Sequence, residues 1–441
     1  MTFPIGNGDL ELGDVNMIQD TFQSLLDSIE NEVNHFNRVL PQIARVPRTL
    51  RELNPSSFNP RVVSIGPLHR DDNNVQAFEK QKIICLNNLL RRTSPSFGDL
   101  LKSCVQKAYS KMKQIKAFYV WEKTIDDAVV AKMMVVDACF ILEFIHWYST
   151  SDEPFLGNKL LPKTIIFDLV LLENQIPLFF LNEIYECTIL KTAPNLSFIE
   201  FIHPILNDLS LFEDEIKINK ISIDTSPHIL SLLHECYKPR DDIKSNYLES
   251  PIHSAVDLDR AGVKFKPNQS PNWPMEMGVT SSMFPCFSWC WGNKTLRMPV
   301  FLVHDFTELV LRNLIAYEHS YQTRNHITSY AFVMDMLVNT QEDVAKLVDS
   351  EVLVNDLGSN KEAANMINNI CKEVTGEYSF YCEQCEMLKE YCDGYWPKNI
   401  TWLMKTYFSS PWNIIALFAG IILFALTVVQ TVFTIKSAGS N

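Results

Sequence analysis

MMVVDACFILEFIHWY, residues 133–148, is the stretch of this sequence that decides the fold. Its residues are apolar on nearly every side of a helical projection, and acidic side chains interrupt it only at Asp137 and Glu143. A helix that is apolar all round is buried among other elements. The stretch therefore predicts a central buried helix, which begins near Ile125.

The chain on both sides of this helix also carries apolar residues three and four positions apart, which indicates further helices. These segments are 17–40, 74–92, 98–121, 161–186, 197–212, 226–237, 305–318, 323–339, 341–349, 360–373 and 375–406. We expect the segment 161–186 to form two helices that are separated just before Pro177, because proline suits the first turn of a helix and breaks its interior. The sequence shows no alternation of strands with helices, so we do not expect a parallel sheet. The predicted fold class is mainly α.

Residues 238–300 interrupt the helical pattern. Proline, asparagine, serine and short β-like runs such as VKFK and TLRMPVFLV dominate this segment. We predict a small β-containing insertion with irregular connections. The predicted organisation is a flexible N-terminus at 1–15, a large helical domain at 16–406 and a C-terminal segment at 407–441.

The C-terminal segment has a character of its own. Residues 409–435 include no charged side chain, and residues 414–435 read IIALFAGIILFALTVVQTVFTI. As a helix, this run covers about 33 Å, which matches a hydrocarbon core of about 30 Å. We therefore predict one C-terminal transmembrane helix, with the lipid bilayer as its partner at 414–435. The residues assigned to this span are Ile414, Gly420, Gln430 and Ile435.

The location of the protein follows from the same features. The N-terminus has no apolar stretch of the kind that a secretory signal needs. A membrane span this close to the C-terminus inserts only after synthesis ends, so we expect a single-pass protein of the plasma membrane or an endomembrane, with its bulk in the cytosol. The 11 cysteines are scattered and odd in number, which fits a reducing compartment. Four N-glycosylation sequons would instead favour a location on the non-cytosolic side of the membrane. They start at Asn195, Asn268, Asn293 and Asn399.

Composition excludes several classes of protein. The chain has 441 residues, of which 46% are hydrophobic and 21% charged, as in a folded globular protein. Its 39 Lys and Arg against 52 Asp and Glu give a net charge of −13. A nucleic-acid-binding protein needs a basic face to neutralise phosphates, so we expect no nucleic-acid partner.

Polar residues inside apolar runs are candidates for a special role. Asp168 and the consecutive residues Glu173, Asn174 and Gln175 lie in the run 161–186. A buried carboxylate costs several kcal/mol unless it is paired or hydrogen-bonded. We interpret Glu173, Asn174 and Gln175 as a structural polar clamp across the helix break, with a ligand site as the alternative.

Other residue patterns were weighed as catalytic or metal sites. Glu143 and His146 lie one helical turn apart, which suits either a mutually satisfied pair or a base with its orienting partner. Four cysteines could bind zinc, but their spacing lacks the paired Cys-x2-Cys knuckles of such sites; they are Cys371, Cys382, Cys385 and Cys392. Glycine-rich phosphate loops and HExxH or GxSxG motifs are absent from the sequence. We therefore expect no metal, no cofactor and no catalytic residue.

Eight blocks of the sequence resemble one plant family, the domain-of-unknown-function 247 family. They include VVSIGPLHR (62–70), MMVVDACFILEF (133–144), DLVLLENQIPLFFL (168–181), HSAVDLDRAGVKFKP (253–267), LVLRNLIAYEHS (309–320) and the terminal apolar run. The blocks follow the family's order from about residue 41 to 435. The resemblance implies a mostly helical region closed by a membrane helix, with no established enzymatic activity. Some grass members take part in pollen–stigma self-incompatibility, which implies recognition or signalling.

One motif departs from the family's pattern. The family usually reads SIGPYHxG, whereas this chain has Leu68 in place of the aromatic residue and Arg70 after His69. Taken together, the sequence favours a recognition or signalling component that binds another protein. The alternatives are an enzyme with a pocket at Asp137, Glu143 and Glu173, and a membrane organiser that self-associates through small residues at 416 and 420.

Overall fold

The computed structural model describes most of the chain. The described residues are 12–36, 42–121, 125–151, 153–218, 221, 223–239, 243, 245–247, 251–269, 271–282, 293–321, 323–376, 378–393 and 411–438. Within these ranges the protein is mostly helical with short strands, as the sequence predicts.

The described helices follow the chain in this order. They are α1 (Leu12–Phe36), α2 (Arg48–Leu53), α3 (Glu79–Thr93), α4 (Phe97–Ser110), α5 (Met112–Ala117), α6 (Asp127–Thr150), α7 (Leu161–Asp168), α8 (Leu178–Cys187), α9 (Ile189–Thr192), α10 (Phe198–Asp208), α11 (Ile229–Cys236), α12 (Ala255–Arg260), α13 (Thr307–Tyr321), α14 (His326–Leu337), α15 (Gln341–Asp349), α16 (Asn360–Ile370), α17 (Cys382–Asp393) and α18 (Pro411–Ala438).

Seven short strands form three small sheets in the described part of the chain. The strands are β1 (Asn246–Tyr247), β2 (Lys264–Pro267), β3 (Gly278–Ser282), β4 (Asn293–Met298), β5 (Phe301–Val303), β6 (Leu353–Asn355) and β7 (Tyr378–Ser379). In the largest sheet β4 lies in the middle, parallel to β2 and antiparallel to β3. β1 pairs antiparallel with β7, and β5 pairs parallel with β6. Strands therefore lie where the insertion at 238–300 was expected, while its exact bounds stay a prediction.

Helix α6 is the central element of the core, as the sequence predicts. Its N-terminus is capped by the Asp126 side chain, which accepts a hydrogen bond from the Ala128 amide. Its residues from Val130 to Ile145 are nearly all buried, and α3, α4, α8 and α10 pack around it. Because apolar side chains point from it in every direction, it needs neighbours on all sides.

The helix break that was expected before Pro177 is confirmed. α7 ends at Asp168, and α8 begins at Leu178, directly after the proline. The nine residues between the helices are irregular in structure, yet they are almost completely buried. Buried backbone without helical hydrogen bonds needs other partners, and side chains supply them here.

The predicted transmembrane helix is not supported. The C-terminal residues form α18, but among the residues that the structure describes, no helix is both long enough and apolar enough to cross a membrane. A span needs about 20 consecutive apolar residues. The membrane part of the predicted fold class and the single-pass membrane location are therefore wrong.

The residues assigned to that span can be placed individually. A Cβ atom added at Gly420 would meet no heavy atom within 4 Å, so within the described residues this glycine does not mark a packed helix interface. Gln430 is exposed on α18. The side chains of Ile414 and Ile435 lie outside the described residues.

The N-terminal helix α1 is amphipathic, and its apolar side faces outward in the described part of the chain. Ile18, Phe22, Leu25 and Ile29 are each more than half exposed. The predicted flexible N-terminus overlaps the start of this helix at residues 12–15, and residues 1–11 lie outside the description.

We expect the nine described cysteines to resist alkylation in the native protein, because all nine are buried and unbridged. Burial raises the pKa of Cys85, Cys236 and Cys385 to about 12, and the thiolate is the reactive form. Iodoacetamide at pH 8 should therefore label these three thiols about 1,000-fold more slowly in the native protein than in urea. Peptide mass spectrometry of native and unfolded protein measures this. Equal labelling of Cys85 in both states would contradict the buried core; Cys286 and Cys290 are outside the prediction.

Candidate functional site: a buried polar network and the adjacent cleft

The segment 61–70, called here the 61–70 loop, is held in place by buried side chains. The Asp168 carboxylate, at the end of α7, accepts hydrogen bonds from the backbone amides of Arg61, Val62 and Val63 at 2.8–2.9 Å. Burial outweighs these three bonds and raises the pKa of Asp168 to about 6. One side chain thus fixes three consecutive backbone groups that have no secondary structure of their own.

Asn174 continues this attachment along the loop. Its side-chain oxygen accepts a hydrogen bond from the Ile65 amide at 2.6 Å, and its nitrogen donates to the carbonyls of Val63 and Asp168. The side chain thereby spans the 61–70 loop and the irregular segment after α7. Three of the four hydrogen bonds that an asparagine side chain can form are made here, which suits a residue that is 1% exposed.

Gln175 joins the irregular segment to α11. Its nitrogen donates to the carbonyls of Leu169 and Leu171 at 2.7 and 2.8 Å, and its oxygen accepts from the Leu230 amide at 3.3 Å. The Gln175 carbonyl accepts a further bond from the buried Tyr119 hydroxyl at 3.0 Å. These bonds replace the helical ones that the break before α8 removes.

The Glu173 carboxylate contacts two side chains and one backbone amide from the N-terminal part of the chain. Its carboxylate lies 2.5 Å from the Arg51 guanidinium and 3.1 Å from His69 Nε2, and it accepts the Val46 amide at 2.6 Å. Burial by itself raises the pKa of Glu173, but the contacts with His69, Arg51 and Val46 outweigh burial and hold the pKa below its usual value. Glu173 is therefore ionised at neutral pH, with its Oε1 bonded to the Val46 amide and close to Arg51.

A completely buried ion pair lies at the other end of the network. The Lys82 ammonium of α3 contacts Asp137 of α6 at 2.7 Å, the Ser64 carbonyl at 2.5 Å and Glu79 at 2.6 Å. Two of its three donors form hydrogen bonds, to Asp137 and to the Ser64 carbonyl, and Glu79 adds an ion pair. Asp137 also accepts the Gly66 amide at 2.9 Å. Burial raises the pKa of Asp137, and Lys82 opposes that rise.

Gly66 is required at its place in the loop. Its φ of +73° lies in the left-handed region, and a Cβ atom there would come within 2.6 Å of the Gln175 carbonyl. A side chain would thus be strained and would collide with backbone. The loop and the irregular segment can approach this closely only because residue 66 has no side chain.

The structure brings the predicted clamp residues into one network with Asp137 and Asp168. Glu173, Asn174 and Gln175 are each 1% exposed and bond mainly to backbone groups. Their function as a clamp is not tested by this placement and stays a prediction. Chemically, the arrangement positions backbone, because most of its hydrogen bonds join side chains to backbone amides and carbonyls.

Glu143 and His146 do not form the pair that the sequence suggested. Glu143 lies 2.6 Å from Arg92 of α3. Burial, followed by the positive charge of Arg92, lowers the pKa of His146. The helical spacing was correct, but a cation from a neighbouring helix occupies the carboxylate.

Two residues of the network were missed at the level of sequence. Lys82 was not recognised because a lysine usually indicates a solvated position, although it lies four residues from both Phe78 and Leu86 on the apolar side of α3. Asn313 of α13 donates to the Ser57 carbonyl and accepts the Leu172 amide. Nothing in its local sequence marks this long-range contact.

The same helix α3 contributes an unexpected apolar residue to the surface. Ile83 is 46% exposed, whereas the neighbouring Lys82 is buried. Ile83 lines a surface cleft with a volume of about 350 Å³. The other residues around this cleft are Arg70, Asp71, Gln76, Glu79, Lys80, Lys132 and Val136. The cleft therefore borders the 61–70 loop, and Glu79 connects it with the buried Lys82.

Among the described residues, side chains of the kinds that bind metal ions lie close together at one place outside the network. Ligand atoms of His234, Glu318 and His326 lie within 4.8 Å of one another, and all three residues are buried. The cysteines of the 371–392 region form no such group in the part of the chain that is described. Cys286 and Cys290 lie outside the described residues.

Comparisons with known proteins agree on one family. A family model described as a plant protein of unknown function, domain-of-unknown-function 247, matches residues 43–426. A UPF0481 protein of Arabidopsis thaliana is 27% identical, with 90% of this chain and 86% of the relative covered. A second, putative UPF0481 protein of Arabidopsis thaliana is 26% identical, with 92% of each chain covered. No solved structure matches.

Replacing Gln175 with leucine tests the clamp. The change leaves two carbonyls and one amide without their partner, each at a cost of about 1–3 kcal/mol, so we expect a loss of roughly 3–6 kcal/mol in the free energy of unfolding. Urea denaturation of the purified chain measures it. Gln341→Leu, at an exposed position, is the control and should change stability by less than about 0.5 kcal/mol. If Gln175→Leu is as stable as the control, the three residues are not a clamp.

The buried ion pair makes a second prediction. Lys82→Met leaves Asp137 as an uncompensated buried charge, which should cost about 3–5 kcal/mol. The double variant K82M/D137N should be more stable than K82M, because asparagine is neutral and still accepts the Gly66 amide. Arg48→Met, in a fully exposed pair with Glu52, should cost under about 1 kcal/mol. A Lys82→Met loss no larger than that of Arg48→Met would refute the role of the pair.

Proposed function

The chain belongs to the plant domain-of-unknown-function 247 family, and on that premise we propose that it is a recognition or signalling component that binds another protein and catalyses no reaction. The proposed binding site is the cleft beside the 61–70 loop. The proposed ligand is a segment of a partner protein in which an apolar side chain is flanked by acidic ones.

The charge of the cleft is the observation that carries this proposal. Arg70, Lys80 and Lys132 surround it, against Asp71 and Glu79. Glu79 is already engaged by Arg70 at 3.6 Å and by the buried Lys82 at 2.6 Å. The whole chain has a net charge of −13, so a locally basic rim departs from the rest of the protein. Such a rim attracts an acidic segment and orients it.

The floor of the cleft supplies the apolar part of the proposed contact. Ile83 of α3 and Val136 of α6 line it, and Ile84, beside it on α3, is 49% exposed. Apolar residues surrounded by a charged rim are the usual composition of a protein-binding patch. A volume of about 350 Å³ admits a few side chains.

The rigid support of the cleft also favours recognition. Residues 61–66 of the adjoining loop are fixed by Asp168, Asn174 and Asp137. Binding loops on a rigid support lose little conformational freedom on binding. The cleft-lining residues Arg70 and Asp71 lie just after Leu68, in the motif where the sequence departs from the pattern of the family that it resembles.

The burial of the carboxylates supports the non-catalytic part of the proposal. An enzyme of the kind considered above needs an open pocket lined by Asp137, Glu143 and Glu173. Asp137 and Glu173 are 0% and 1% exposed, and neither lines the cleft at Arg70 or the second described cavity, at Gln42. Carboxylates that are buried in the core do not reach a substrate, so they are poorly suited to general acid–base catalysis.

Site-specific crosslinking tests the proposal. A photoreactive amino acid at position 84 should yield a small set of crosslinked proteins in plant extract, and an excess of the unlabelled purified chain should compete them away. Lys80→Glu with Lys132→Glu should lower the yield at least about tenfold, because two acidic groups then face an acidic partner.

Two controls make the experiment specific. The probe at Leu160, which is 81% exposed and outside the cleft, should not give the same products. Charge reversal at the exposed Lys361 and Lys372 changes the net charge equally and should leave the crosslinks unchanged. Products that persist in the Lys80/Lys132 variant, or that appear equally at position 160, would refute the proposed site.

A further inference from the structure

Three buried residues outside the polar network meet where three helices end or begin. His234 lies near the end of α11, Glu318 near the end of α13, and His326 is the first residue of α14. Their exposed fractions are 2%, 3% and 0%. Neither the polar network nor the cleft uses them.

The distances place the three side chains around one point. His234 Nε2 lies 2.9 Å from Glu318 Oε1, and His326 Nδ1 lies 3.8 Å from the same oxygen. In a tetrahedral zinc site with bonds of about 2.0–2.1 Å, neighbouring ligand atoms lie roughly 3.3 Å apart. The two observed distances bracket that value. The two imidazole rings are also close, with their centroids 4.1 Å apart.

The tautomer of His326 follows from its backbone contact. Its Nε2 lies 3.2 Å from the His234 carbonyl, which can only accept, so Nε2 carries the hydrogen. The neutral ring then presents a lone pair at Nδ1. That buried atom has no hydrogen-bond partner among the described residues, and it lies 3.8 Å from Glu318 Oε1. A buried lone pair without a partner calls for an explanation, and an ion bound between it and the carboxyl group supplies one.

The histidines are in the form that binds metal ions. Burial lowers the pKa of His234 to about 4 and that of His326 to about 3. Both rings are therefore neutral at pH 7, as metal ligation requires.

Outer contacts already orient Glu318 and His326. The second oxygen of Glu318 accepts from the Thr328 amide at 2.8 Å and from its hydroxyl at 2.5 Å, and Oε1 also accepts the Ile327 amide. The bond from His326 Nε2 to a backbone carbonyl is the usual outer contact of a metal-binding histidine. His234 Nε2 and Glu318 Oε1 also share a hydrogen bond at 2.9 Å, which a bound metal ion would replace.

We propose that His234 Nε2, Glu318 Oε1 and His326 Nδ1 bind one divalent transition-metal ion of the zinc type. Two imidazoles and one carboxylate form a ligand set that zinc accepts, with one further position for another ligand. The depth of the site makes it structural: the ion would tie the ends of α11 and α13 to the beginning of α14. The established family description assigns no such site.

Metal analysis of the purified full-length chain is the first test. After dialysis against a weak chelator, the wild-type protein should retain one equivalent of zinc, and X-ray absorption should show only nitrogen and oxygen ligands with two imidazole rings. A folded protein without stoichiometric zinc, or one with sulfur ligands, would overturn the proposal. This measurement needs no variant.

Substitutions locate the ion. His234→Gln and His326→Gln should each weaken zinc binding at least about 100-fold, measured by competition with a chelating dye. His319→Gln changes an exposed histidine directly beside Glu318 and should bind zinc like the wild type. Unchanged binding in the first two variants would place the ion elsewhere and refute the site. If these variants do not fold, the ligands found by X-ray absorption on the wild type decide the question.

Discussion

The ammonium group of Lys82 is the point on which the N-terminal half of the fold depends. A charged group without exposure must be compensated completely, and here the carboxylates of Asp137 and Glu79 and the Ser64 carbonyl do so. Since these acceptors belong to α6, to α3 itself and to the 61–70 loop, one side chain fixes the relative positions of three segments. The helices could pack by apolar contact alone. The loop also buries Val63 and Ile65 in the core, but its many backbone groups need hydrogen-bond partners as well.

The remaining network extends this constraint from the loop to the helix break. Asp168, Asn174 and Gln175 satisfy backbone groups on both sides of the segment between α7 and α8, and Glu173 connects it with Arg51 and His69. Polar groups of this kind are costly when partly satisfied and specific when fully satisfied. A rigid loop is the result, and the surface cleft that we propose as a binding site borders it.

The local sequence was sufficient where one segment determines its own structure. α6 could be predicted because its apolar residues face every direction, and the break at Pro177 because proline acts locally. The need of Asp168 and Asn174 for partners could be predicted too, but not the identity of the partners. Arg92 reaches Glu143 from another helix, and Lys82 of α3 is buried while its neighbour Ile83 is exposed. Both outcomes depend on packing. His234, Glu318 and His326 have no common motif because they come from three separate helices. The prediction of a membrane span was wrong for a different reason. It rested on apolar composition alone, and no helix in the described part of the chain is long and apolar enough to cross a bilayer.

The long-range hydrogen bonds also govern when the protein can fold during synthesis. Asn313 bonds to Ser57 across 256 positions, and the Tyr321 hydroxyl accepts the Ala44 amide across 277. A ribosome that adds about 5–20 residues per second needs roughly 10–50 s to produce that intervening chain. During this interval the backbone around residues 44 and 57 lacks its final partners, and the apolar face that α13 will cover is open to solvent. The emerging chain therefore depends on protection from aggregation until α13 leaves the ribosome, so its yield in a cell is set partly by the rate of translation between these two points.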